Sequence, residues 1–161
     1  MLPQKFTPII LLASIVMLGS ACKTFVVEDV NYAHEIETVL IPNEEGEVND
    51  VRHGLTFNVA PFQKEEFGED DSTIIQEVRL IRDANGYYFI TASQFKNVYV
   101  MQSGNGKLKL KKKINVSEDR LAAPAFNLRD GTVELVKTET NETLSLNKDG
   151  IQEEDKNEEQ S

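Results

Sequence analysis

One side chain in two is apolar through much of the chain's middle, the period of a strand with one buried face. Phe126 and Leu128 precede Asp130-Gly131, and Val133 and Leu135 follow it. A two-residue loop pairs Leu128 with Val133 and Phe126 with Leu135, placing four apolar side chains on one face. Both turn residues accept positive φ, so the spacing predicts a β-hairpin. Upstream, Phe95–Gln102 and Lys107–Val116 flank Ser103-Gly104-Asn105-Gly106. A four-residue loop there sets Met101 against Leu108, Tyr99 against Leu110, Asn97 against Lys112 and Phe95 against Ile114, like facing like at each step. A third hairpin is expected from Ile75–Arg82 to Tyr87–Thr91 through Asp83-Ala84-Asn85-Gly86. Thr143–Asn147 reads as a late strand, and Leu55, Phe57 and Val59 alternate as an earlier one. Phe25–Val30 and Glu35–Ile41 are shorter strand candidates.

No stretch combines apolar residues at 3.6 spacing with a cap and a glycine stop. The one helical turn expected lies within Ser117–Ala125, where Ser117 suits an N-cap and Pro124 ends the turn. Successive hairpins imply an antiparallel meander, and one-faced alternation implies a sheet that closes or folds on itself. The expected fold is all-β: an antiparallel meander forming a small barrel or a two-layer sandwich.

The ends depart from this pattern. Lys5 is the only charge before an apolar run from Phe6 to Leu18, followed by Gly19, Ser20, Ala21 and Cys22. That order is the layout of a secretory signal. The run is too short for a bilayer-spanning helix, which takes roughly 20 residues. Leu18-Gly19-Ser20-Ala21-Cys22 resembles the lipobox of bacterial lipoproteins, although Gly19 stands where the family usually has a large aliphatic residue. The resemblance is confined to residues 1–22 and implies lipidation of Cys22, which becomes the new N-terminus. Lys23, where a retention-type Asp is often found, implies by the same resemblance the outer membrane of a bacterial envelope, on either leaflet. Cys22 is the only cysteine, so no internal disulfide can form, and acylation removes a reactive thiol from an oxidising compartment. At the other end, residues 151–161 hold five acids, one base and a single aliphatic residue, too little apolar surface to offset ordering. The expected organisation is a signal peptide over 1–21, an anchor and tether over 22–30 that can include a first strand, a β domain over 31–150, and an acidic disordered tail over 151–161.

Charge narrows the partners. The formal net charge is −10 over 161 residues. Removing the signal leaves 16 bases against 27 acids, which argues against nucleic acid. The charge is also segregated: residues 23–77 carry 14 acids and three bases, residues 78–113 one acid and eight bases. On a regular strand Lys107, Lys109, Lys111 and Lys113 share a face opposite Leu108, Leu110 and Ile114. That stripe is a solvated face that discourages edge pairing, a surface for an anionic partner, or an internal attraction for Glu153–Glu159 of the tail, a weak and salt-sensitive pairing. The acid-rich stretches Asn43–Asp50 and Glu65–Asp71 read as solvated loops without metal-ligand spacing. Asp71-Ser72-Thr73 resembles a bacterial O-glycosylation acceptor, which makes Ser72 a candidate modification site.

Catalytic motifs are missing from the sequence. His34 and His53 have no second ligand at metal spacing, and neither a nucleophile elbow nor a phosphate loop is present. The expected protein is therefore a non-enzymatic, membrane-anchored accessory or binding module without a cofactor, acting with a protein partner in the envelope. Two alternatives remain open: an acidic inhibitor or immunity-type lipoprotein directed at a basic hydrolase, and a small carrier of an apolar ligand.

Overall fold

Asp130 and Gly131 adopt φ of 51° and 78°, and the strands they join pair Leu128 with Val133 and Phe126 with Leu135, as the alternation predicts. The computed structural model describes residues 36–69 and 71–152. Its elements in chain order are β1 (Thr38–Leu40), β2 (Glu47–Asp50), β3 (Leu55–Asn58), α1 (Ala60–Phe67), β4 (Val78–Arg82), β5 (Tyr87–Thr91), β6 (Asn97–Gly104), β7 (Lys107–Asn115), β8 (Pro124–Arg129), β9 (Thr132–Lys137), β10 (Glu142–Asn147) and β11 (Gly150–Ile151). The expected hairpin at Asp83–Gly86 joins β4 to β5, and β10 is the late strand. β11 pairs Ile151 with Leu146, so the ladder runs one residue past position 150. The strand proposed at Phe25–Val30, Cys22, His34 and most of the acidic tail lie outside the described residues.

Three antiparallel sheets result: five strands in the order β1-β4-β5-β6-β7, four in the order β11-β10-β9-β8, and the hairpin β2-β3. The arrangement is that of an all-β sandwich, with no closed barrel among the described residues, which decides between the two expected forms. The central strands β4, β5 and β6 of the five-stranded sheet are buried on both faces, so they carry near-continuous apolar runs such as Tyr88-Phe89-Ile90, whereas β7 at the edge is mostly exposed. Ile81, Phe89, Val98, Val100 and Ile114 pack with Phe126, Val133, Leu135 and Leu146 of the four-stranded sheet. The opposite face, with Leu80, Ile90, Tyr99 and Met101, packs under Val48, Val59 and Phe62 of the β2-β3 hairpin and α1. Glu37 joins the two large sheets: it accepts from Arg79 Nη1 at 2.6 Å on β4 and from the Phe126 backbone N–H at 2.7 Å on β8.

Several local expectations fail for identifiable reasons. β2 forms inside the acid-rich stretch Asn43–Asp50 because Val48 and Asp50 alternate into the interior. Glu65 and Glu66 belong to α1 rather than to a loop. Asn58 Oδ1 accepts from the Ala60 N–H at 2.8 Å, Pro61 sits in the first turn, and Gly68 ends the helix at φ 94°. No helical turn forms in Ser117–Ala125; residues 117–123 connect β7 to β8 through bends, and Pro124 and Ala125 begin β8.

The β6-β7 register also differs from the four-residue-loop expectation. Asn105 and Gly106, at φ 52° and 70°, make a two-residue turn that extends the ladder to Gly104 and Lys107. Val100 then pairs with Lys112 and Met101 with Leu110, leaving Lys111 as the extra residue of a β-bulge. Beyond the bulge the facing of every β7 side chain is reversed relative to simple alternation.

Candidate binding groove

The bulge sets up a largely apolar groove on the described surface. Before it, Leu108 and Leu110 share a face with Met101 of β6; beyond it, Lys113 pairs with Tyr99 on that same face. The β2-β3 hairpin brings Phe57 to this side, and α1 brings Pro61, Phe62 and Glu65. Together they bound an open groove of about 730 Å³, a size typical of small-molecule or side-chain sites. Its floor is aromatic: Phe62 lies 4.8 Å from the Tyr99 ring centroid and 6.1 Å, edge to face, from Phe57. Leu110 stands at the margin with 57% of its surface exposed, an unusual place for a leucine on a strand otherwise rich in lysine.

Charged groups hold the walls. Glu66 of α1 accepts three hydrogen bonds, each at 2.8 Å, from the Lys96 backbone N–H, Asn97 Nδ2 and the Tyr99 hydroxyl. This fixes the helix against β6. Burial, and then the bond to Glu66, push the Tyr99 phenol's pKa well above its ordinary value. Glu65 pairs with Lys113 across the groove's end, and the lysine's hydrogen bond followed by its charge holds that carboxyl below the usual range.

The four lysines expected to form one stripe are divided. Lys107 and Lys109 pair with Gly104 and Gln102 on the face opposite Leu108 and Leu110, Lys111 occupies the bulge, and Lys113 lies on the groove side; Lys107, next to the turn, still lines the groove's end. Simple alternation missed this because it cannot place a bulge. The groove floor was equally hidden in the sequence, since Phe57, Phe62, Tyr99 and Leu110 come from four separate elements. The one sequence feature pointing there is Leu108 and Leu110 set among the lysines.

Ser72 is exposed in the connection between α1 and β4, beside Asp71, whose Oδ1 accepts from the Thr73 N–H at 2.7 Å. His53 is buried against Asp50, with Nδ1 and Oδ2 2.5 Å apart, and its ring meets Tyr88 edge to face at 5.6 Å. Among the described residues no group of three His, Cys, Asp or Glu side chains is placed to hold a metal ion, and no helix is long and apolar enough to cross a membrane. Comparison with protein-family models, curated proteins and solved structures finds no match.

Proposed function

We propose that this chain is a lipid-anchored envelope protein whose β domain binds a partner through the groove between α1, the β2-β3 hairpin and the β6-β7 hairpin. The observation that carries the reading is the groove itself: an aromatic floor beside an exposed leucine, walled by lysines and a glutamate. Exposed apolar surface of this kind, rimmed by polar groups, marks interaction sites. The anchor rests on the signal-like N-terminus and on Cys22, and it places the domain at a bacterial envelope membrane, in keeping with the outer-membrane expectation. Binding rather than turnover is the activity proposed.

Recovery of the tagged full chain from detergent-solubilised envelopes tests this. The expected result is a discrete co-purifying partner that is lost with Leu110→Glu, which puts a charge at the groove margin. Turnover of a cell-wall substrate by the pure protein, or a recovered partner indifferent to Leu110→Glu, would overturn it. A second reading, carriage of a small apolar ligand, draws on the groove's volume and its aromatic floor. Mass spectrometry of the protein as isolated under non-denaturing conditions distinguishes the two, because a carrier holds a ligand adduct that Leu110→Glu diminishes.

A further inference from the structure

We infer that the outer edge of β7 at Lys107–Leu110 accepts an added strand from a partner polypeptide, in an extended segment that alternates acidic and apolar residues. The inference rests on the groove being a binding site and identifies what enters it.

β7 ends the five-stranded sheet, so one of its edges has no ladder partner among the described residues. The Asn105-Gly106 turn determines which backbone groups face that edge. Such a turn closes with the Lys107 N–H on the Gly104 carbonyl, and hydrogen-bonded pairs alternate along an antiparallel ladder. Lys107 and Lys109 therefore direct their backbone groups to β6, while Leu108 and Leu110 direct theirs outward. Those same two residues line the groove with their side chains. A strand laid along this edge pairs with Leu108 and Leu110 and drops every second side chain toward Phe57 and Phe62. Main-chain bonds then supply affinity and the groove supplies selection.

The lysines determine the partner's chemistry. Lys107 and Lys109 are exposed and have no ion pair among the described residues. A second copy of β7 would bring like charges together across the new ladder, whereas an acidic strand brings opposite ones. The same side chains thus repel self-association and favour an acidic partner. The bulge at Lys111 limits the site to the four residues Lys107–Leu110, because the ladder breaks beyond it.

The test uses the purified full chain and a blocked peptide of alternating Glu and Leu. Binding is expected, with slowed hydrogen exchange at the Leu108 and Leu110 amides and weakening as salt rises. N-methylation of every second peptide amide, which removes the edge bonds but keeps charge and side chains, is expected to weaken binding by about tenfold or more. Lys107→Glu combined with Lys109→Glu should weaken it comparably while leaving the circular dichroism unchanged. Equal affinity of the methylated peptide would overturn strand addition. Binding of monomeric dodecyl phosphate without binding of the peptide would keep the groove as a site and overturn the polypeptide partner. Failure of both probes to bind would overturn the inference and the groove reading together.

Discussion

Glu66 stands where three donors from one β-strand region converge, and nothing near it in sequence announces this. Its partners Lys96, Asn97 and Tyr99 lie about thirty positions downstream. Along the chain it is one more acid in an acidic stretch; in the fold it secures α1 to β6 and so sets the groove's width. Glu66→Ala leaves three donors without their acceptor and should lower stability by about 2–3 kcal/mol, read as a shift in urea midpoint at unchanged slope. Tyr99 supplies a pH test. Its phenol holds its proton more tightly folded than unfolded, so above about pH 10, where an unfolded tyrosine ionises, the unfolded chain binds fewer protons than the native one. The stability contributed by the neutral phenol is complete below that pH and is lost progressively as pH rises above it toward the raised pKa of the folded state. Urea midpoints measured across the alkaline range should fall for the wild type and fall less for Tyr99→Phe. Equal slopes would contradict the role given to this residue. Asp50 and His53 teach the same lesson: a buried, paired histidine looks in sequence like an isolated one.

Among the elements, hairpins were legible and their irregularities were not. Asp130-Gly131 specified its turn, loop length and cross-strand pairs because only a short list of residues adopts that backbone at low cost. Gly131 sits at φ 78° with open space where an added methyl would stand, so Gly131→Ala tests backbone strain alone. A loss of about 1–2 kcal/mol in urea unfolding is expected, and no loss would contradict the turn geometry. At Ser103–Gly106 the choice between a four-residue and a two-residue loop turned on a bulge. Matching apolar to apolar favoured the four-residue loop, yet the Asn105-Gly106 turn and the extra residue Lys111 together let Val98 meet Ile114 in the interior. α1 carries no apolar stripe for the sequence to show, because only Phe62 of its eight residues is buried. Its boundaries were nonetheless written in Asn58, Pro61 and Gly68, which act through the backbone rather than through an apolar stripe.

At the scale of the whole molecule, a sheet buried on both faces explains the continuous apolar runs of β4, β5 and β6, and the two covering layers explain why alternation holds in β8 and β9. The sequence supported an all-β meander but left barrel and sandwich equal, since that choice depends on which strands stay unpaired at the edges. The edge that matters is β7, and beside it lies the groove in which we propose that a tethered domain takes its partner, next to Leu110. A photo-crosslinking residue at position 110, in cells producing the full chain, addresses this most directly. A discrete adduct is expected, absent when the crosslinker replaces exposed Ala84 in the β4-β5 turn and lost when Cys22→Ser releases the domain from the membrane. An adduct unaffected by Cys22→Ser, or identical patterns from positions 110 and 84, would contradict it.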